Sequence, residues 1–251
     1  MIFKRGWSIA GLVALLTAVA LLVSCSVLAG NEEGVDINMA SATVESGSID
    51  VDGHAVNFLG NLGDSPSTPM EGARNVLLLH GAKYSAQTWL DLGTLSLLAG
   101  EGYRVAAVDL PTKIEAPPRD ELLELMCLAL GMGEDSPAVI VSPSMSGSFS
   151  VPLFLRKPSL FAGYVPVAPG IAKMYPAEDF EAVKGVPALI IYGEKDLMGT
   201  KVSTLLASIP GSKVVMIEGA THPAYLDEPE EFHSLLMDFL AGAVVFHERG
   251  R

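Results

Sequence analysis

Aromatic side chains make up only 7% of the 251 residues, so the core has to be built mostly from aliphatic ones. Lysine and arginine together number 16 against 29 acidic residues, a formal net charge of −13. Nucleic-acid binders need clustered Lys and Arg to displace counterions, so this balance argues against a polyanion partner. It favours solubility and says little about fold. There are two cysteines, Cys25 in an N-terminal apolar stretch and Cys127 in a Leu-rich segment. That excludes a disulfide framework, and no Cys/His cluster has metal-ligand spacing. Cys127 reads as a small buried hydrophobe. A phosphate-binding loop and a dinucleotide fingerprint are absent, and no cofactor is called for.

What is present is apolar: 49% of the residues are hydrophobic, enough for one sizeable domain with a short extension. Lys4 and Arg5 precede an almost unbroken apolar run over 7–28, and polar residues resume at Asn31. A cleavable signal has an apolar core of about 7–15 residues, whereas about 20 span a bilayer as a helix. The length predicts an N-terminal apolar helix acting as a membrane anchor. The basic flank puts the following domain outside the cytosol. Cleavage near Val27-Leu28-Ala29, giving a secreted protein, and lipidation of Cys25 in Leu22-Val23-Ser24-Cys25 are the alternatives. The expected organisation is a signal anchor or signal peptide at 1–30, a linker at 31–41, a globular domain at 42–245 and a tail at 246–251.

Within that domain, residues 43–61 alternate around Asp52-Gly53, which predicts a β-hairpin with a type I′ turn. Thereafter strand and helix patterns alternate. Strands are expected at 75–79, 103–108, 138–141, 164–167, 188–192 and 213–217. Helices are expected at 86–99, 119–130, 146–155, 201–208 and 229–240. The run Val76-Leu77-Leu78-Leu79 suits a strand buried on both faces of a parallel sheet. Alternating βα units imply a mostly parallel sheet with helices on both faces and the hairpin at one edge. Ligands of such sheets bind beyond the carboxyl ends of the strands, so the residues just after each strand matter most.

After the strand at 138–141 comes Ser142-Pro143-Ser144-Met145-Ser146-Gly147, then a helix. This fits a nucleophile elbow, with serine where G-x-S-x-G has glycine. The neighbours two before and two after must be small, and Ser142 and Ser146 are. Ser142, Ser146 and Ser148 are weaker nucleophile candidates than Ser144, which is central between strand and helix. After the strand at 188–192 comes Gly193-Glu194-Lys195-Asp196, which places an acid where the order Ser, Asp, His expects one; Asp196 is favoured over Glu194. After the last strand comes His222, the expected general base. His54, His233 and His247 lack such placement and read as surface residues. After the first core strand comes His80-Gly81-Ala82-Lys83. A turn there commonly supplies one oxyanion N–H, so the expected donors are the backbone N–H groups of Ala82 and Met145, with His80 bracing the turn. The expectation is an α/β-hydrolase fold with a minimal cap and Ser144, Asp196 and His222 as its catalytic set.

The motifs can be read together. They are Leu79-His80-Gly81, Thr88-Trp89, Leu92-Gly93-Thr94-Leu95, Gly102-Tyr103-Arg104, Asp109-Leu110-Pro111, the Ser142–Gly147 elbow, Gly163-Tyr164-Val165-Pro166-Val167-Ala168-Pro169, Tyr192-Gly193 with Asp196, and His222-Pro223 with Tyr225-Leu226. On these the chain resembles the alpha/beta-hydrolase domain-containing protein 14 family over about residues 50–242. The resemblance implies a serine hydrolase using Ser144, Asp196 and His222, of the membrane-anchored kind. It also implies action on small acyl esters or in protein deacylation, with coenzyme A as a candidate acyl acceptor. In one departure, Thr112-Lys113-Ile114-Glu115 replaces the glycine-rich turn after Pro111. Between the sixth strand and the acid strand only 170–185 intervenes, room for a short helix near 176–183. The pocket is therefore expected to be small and open, with Met145, Met174 and Leu197 lining it. A non-catalytic binding module on the same fold is the alternative from another class.

Overall fold

A computed structural model describes residues 43–249, apart from 70, 71, 73, 114 and 115. The hairpin comes first: β1 (Glu45–Val51) pairs antiparallel with β2 (His54–Gly60), Val51 opposite His54. Its two turn residues, Asp52 and Gly53, have φ of 52° and 78°. A type I′ turn needs two positive φ values in a row, which Asp-Gly supplies.

The remaining strands are β3 (Asn75–Leu78), β4 (Arg104–Val108), β5 (Ala138–Pro143), β6 (Phe161–Val167), β7 (Leu189–Gly193) and β8 (Lys213–Ile217). All join one eight-stranded sheet in the order β1-β2-β4-β3-β5-β6-β7-β8. The six from β3 to β8 run parallel, and the hairpin is attached antiparallel through β2 to β4. The order reverses around β3, whose two neighbours are β4 and β5. At such a reversal the chains leave adjacent strands in opposite directions, and ligands of these sheets bind beyond the carboxyl ends there.

The helices are α1 (Ala86–Asp91), α2 (Thr94–Gly100), α3 (Arg119–Ala129), α4 (Gly147–Arg156), α5 (Ala177–Ala182), α6 (Leu197–Leu206), α7 (Ala224–Asp227) and α8 (Pro229–Arg249). Strand side chains alternate between two cores. Leu77, Ile140, Tyr164 and Ile190 pack with Leu122 and Met126 of α3, Phe149 and Phe154 of α4, and Val202 of α6. Val76, Leu78, Val141, Val165 and Ile191 pack with Trp89 of α1, Leu98 of α2, and Phe232 and Leu236 of α8. Trp89 is wholly buried, stacks on Tyr225 at 4.9 Å between centroids, and donates from Nε1 to the Leu79 carbonyl at 2.9 Å. Truncating such a residue to alanine costs about 3–5 kcal/mol. Cys127 of α3 is buried and free. Burial, with Glu124 nearby, pushes its thiol up to about 12.

Two sequence expectations are corrected here. The single helix expected at 86–99 is two helices, because Gly93 stands at φ 76° and turns the chain between them. The apolar periodicity continues across the break, and only the glycine marks it. The expected membrane-anchored placement, with the domain outside the cytosol, is not sustained either. No helix among the described residues is long and apolar enough to cross a membrane. The longest, α8, has 21 residues, but Glu230 and Glu231 precede its buried Phe232, and Asp238 lies between its buried Leu236 and Leu240. The apolar run at 7–28 on which that placement rested lies outside the described residues, and with it the N-terminal helix, the cleavage site and Cys25.

Candidate active site

Strand β5 is buried at every position and delivers the chain into a tight turn, Ser144–Ser146, before α4. Ser144 has φ 51°, the left-handed region that costs an L-residue about 1–2 kcal/mol. Such strain persists only where surrounding structure enforces it, and it clusters at functional sites. The flanking Ser142 and Ser146 are fully buried, with their hydroxyls 3.0 Å apart. Ser148 is occupied elsewhere: its hydroxyl donates to the Met145 carbonyl at 2.8 Å and accepts from Arg119 at 2.7 Å. Ser144 is half-buried.

The acid lies three residues beyond the end of β7. Asp196 is the N-cap of α6, and its Oδ1 accepts the Met198 N–H at 3.1 Å. A carboxylate is well placed at a helix amino terminus, where unpaired N–H groups and the helix dipole favour negative charge. Gly199 gives it room, since a Cβ there would stand 2.5 Å from Asp196 Oδ2. Glu194 turns away and accepts the Gly219 N–H at 2.9 Å.

The loop after β8 carries His222. It lies directly on the end of β7, where a Cβ on Gly193 would be 2.1 Å from the Thr221 carbonyl oxygen. Thr221 donates from both its N–H and its hydroxyl to Asp227 Oδ2 of α7, at 2.6 and 2.5 Å. The imidazole bridges the other two residues: Nδ1 is 2.5 Å from Asp196 Oδ2 and Nε2 is 2.8 Å from Ser144 Oγ. An ionised Asp196 can only accept, so the proton sits on Nδ1 and Nε2 accepts from Ser144. Asp196 is 7% exposed, and the His222 side chain 43%. A serine hydroxyl bonded in this way can lose its proton to the imidazole as its oxygen attacks a carbonyl.

The turn after β3, next to β5 in the sheet, brings Ala82 to the same end of the sheet as Met145. His80 is buried, donates from Nδ1 to the Gly81 carbonyl at 2.8 Å, and accepts the Leu110 N–H at Nε2 at 2.9 Å. It ties the β3 and β4 turns together. Met145 is half-buried against the core, while Met174 and Leu197 stand 72% and 80% exposed. His54 is exposed. His233 is not a surface residue: it is half-buried, with Nε2 2.8 Å from Thr94 Oγ1, and desolvation lowers its pKa. The side chain of His247 lies outside those described. Sequence reasoning missed Asp227 and Gly199. The glycine's signal was its place three residues after an N-cap acid.

No family model matches the chain. Human ABHD14B, named as a candidate protein-lysine deacylase, is 41% identical over 211 residues, covering 81% of this chain and 98% of that protein. Human ABHD14A is 40% identical over 172 residues, 66% of this chain and 63% of that one. Among solved structures, one described as a predicted CIB-like hydrolase from Thermoplasma acidophilum superposes with TM-score 0.67 at 25% identity. It covers 79% of this chain and 98% of its own. The carboxylesterase CesB from Bacillus subtilis gives a TM-score of 0.62 at 16% identity, a likeness of fold alone, covering 81% of this chain and 94% of its own. With the eight-stranded sheet, these likenesses make the fold that of an α/β-hydrolase.

Proposed function

The chain belongs to the ABHD14 family of α/β-hydrolase domain-containing proteins, and from that premise we propose that it is a serine hydrolase of small acyl substrates. In this reading Ser144 is the nucleophile, His222 the general base and Asp196 the acid that fixes the imidazole tautomer. The observation that carries it is the bridge from Asp196 through His222 to Ser144, at 2.5 and 2.8 Å, with Ser144 at φ 51°.

Ser144 Oγ attacks the acyl carbonyl as its proton passes to His222 Nε2, while Nδ1–H stays bonded to Asp196. The N–H groups of Ala82 and Met145 receive the tetrahedral oxyanion; losing one such donor typically costs on the order of 10²–10³ in rate. The proton then goes from His222 to the departing oxygen, sulfur or nitrogen, leaving an acyl-enzyme. Water, deprotonated by the same imidazole, releases the acid. Between β6 and β7 the chain forms only a five-residue turn, Gly170–Met174, and the six-residue α5. With so little cover, short acyl groups are the expected substrates.

A second reading keeps the same residues and takes an acylated lysine as substrate. It is favoured by the name of human ABHD14B, 41% identical to this chain. Neither the comparisons nor the described residues support coenzyme A as an acceptor.

The deciding experiment is fluorophosphonate labelling of the chain beside Ser144→Ala and His222→Ala. The reading expects wild type to label, and both variants to lose labelling and ester turnover by on the order of 10⁴-fold or more. A folded wild type that does not label sinks it and leaves a binding module. Comparing acetyl, butyryl and long-chain esters with an acetyl-lysine peptide then separates the two substrate readings, and a preference for long-chain lipids contradicts both.

A further inference from the structure

Behind Ser144, four buried hydroxyls form a line that none of the steps above uses. Tyr164 Oη lies 2.8 Å from Ser150 Oγ, Ser150 Oγ 2.6 Å from Ser142 Oγ, and Ser142 Oγ 3.0 Å from Ser146 Oγ. Ser146 Oγ then donates to the Pro143 carbonyl oxygen at 2.8 Å. All four side chains are completely buried. They come from β6, α4, β5 and the Ser144 turn, so the line ties together the elements that meet behind that residue.

The direction of every proton follows from the last bond. A carbonyl oxygen only accepts, so Ser146 spends its proton there. Ser142 must then donate to Ser146, Ser150 to Ser142, and Tyr164 to Ser150. Burial raises the Tyr164 pKa, which keeps this phenol a donor. Aligned hydroxyls polarise one another, so each bond strengthens the next. The line ends on the oxygen of the peptide bond that joins Pro143 to Ser144. The plane of that peptide sets φ at Ser144, the torsion held at 51°.

We infer that Tyr164 and Ser150 are positioning residues: acting through Ser142 and Ser146, they pin the Pro143-Ser144 peptide and so hold Ser144 Oγ within reach of His222. The inference rests on the reading of Ser144 as nucleophile. It also explains serine in place of glycine at both flanks of the elbow. A glycine elbow relies on close packing alone, whereas this one adds a directed chain of hydrogen bonds. The effect of a substitution then grades with position along the line. Tyr164→Phe keeps the ring stacked 4.6 Å from Phe154 and leaves every remaining proton donated. Ser146→Ala releases the peptide oxygen itself and strands the proton of Ser142.

The test uses the full chain. Second-order rates of fluorophosphonate labelling, with kcat and KM for p-nitrophenyl acetate, are measured for wild type, Ser144→Ala, Tyr164→Phe, Ser150→Thr, Ser150→Val and Ser146→Ala. One ordinary hydrogen bond corresponds to about a fivefold to tenfold change in an equilibrium. Ser146→Ala is expected to slow labelling and lower kcat by about tenfold or more, with KM unchanged. Tyr164→Phe should have the smallest effect. Threonine and valine share a shape and differ by the hydroxyl. Ser150→Thr should stay near wild type while Ser150→Val falls between the other two, a split that packing alone would not produce. Equal losses in the two Ser150 variants, or a wild-type rate in Ser146→Ala, overturn the inference. If the Ser150 variants do not fold, Ser146→Ala against Tyr164→Phe decides it. If wild type does not label, the triad reading falls, and amide exchange at Ser144 and Met145 judges the clamp instead: faster exchange in Ser146→Ala supports it, unchanged exchange overturns it.

Discussion

Below the Ser144 turn the polar groups are sealed and partnered, whereas around its mouth Met174, Leu197 and Met198 turn apolar side chains to water, at 72%, 80% and 51% exposure. The two regions are close neighbours. The turn Gly170–Met174 packs against both α6 and the Ser144–Ser146 turn, and α6 opens with Leu197 and Met198 directly after Asp196. Their contrast separates two tasks. Geometry is set from below, where any misplaced atom meets a neighbour at close range. Contact with a ligand is left to a rim whose side chains the fold does not need. Substitutions below should therefore change rate and stability, and those above should change selectivity alone.

The sharpest way to break that division is Gly199→Ala. Its new Cβ would meet Asp196 Oδ2 at 2.5 Å, displacing the carboxylate from His222. Misplacement by about 1 Å costs on the order of 10²-fold in rate. We expect kcat to fall by that much with KM and far-UV circular dichroism little changed; an unaltered kcat would show that Asp196 has slack. A smaller change follows at the rim. Leu197→Ser or Met174→Ser should leave unfolding free energy within about 0.5 kcal/mol of wild type. Either should alter the ratio of kcat/KM between acetyl and butyryl esters by about tenfold or less. A clear loss of stability would make these side chains structural and erase the contrast.

The smallest effect lies away from both regions. His233 has its pKa lowered by desolvation from the ordinary 6.5. Its unfolded form thus takes up a proton before its folded form does. The associated stability is present above about pH 6.5 and is lost as pH falls through that value towards the folded pKa. Melting temperature should fall over that window in wild type, and less steeply in His233→Gln. Equal slopes would mean that His233 pays no desolvation penalty on folding.

How legible these features were in the sequence depended on how local their cause is. The parallel strands announced themselves as aliphatic runs, and the hairpin was written in Asp52-Gly53, because period and turn chemistry act between adjacent residues. Ser144, Asp196 and His222 could be picked out as candidates because each lies within five residues of a strand's carboxyl end. The break at Gly93 was hidden by amphipathic residues on both sides of it. Ser142 and Ser146 were legible as small, but not as bonded, since their partners Ser150 and Tyr164 lie on another helix and another strand. Asp227 was missed for the same reason: its link to Thr221 needs α7 folded against the loop. The half-burial of His233 likewise depends on Thr94, 139 residues away in the chain. The apolar run at 7–28 led to a membrane placement that the described helices do not bear out.

Cys127 offers a clock. It sits 1% exposed in α3 with its thiol pushed up to about 12, so in the native state it presents almost no thiolate and no path for an alkylating reagent. Modification of the peptide that carries it can proceed only through opening of the core. The rate of that modification, read by mass spectrometry at graded reagent concentrations, reports the opening equilibrium when closing is fast and the opening rate when capture is faster. The same protein sample used for activity therefore carries its own measure of core integrity, which tells a variant that has lost its chemistry from one that has lost its fold.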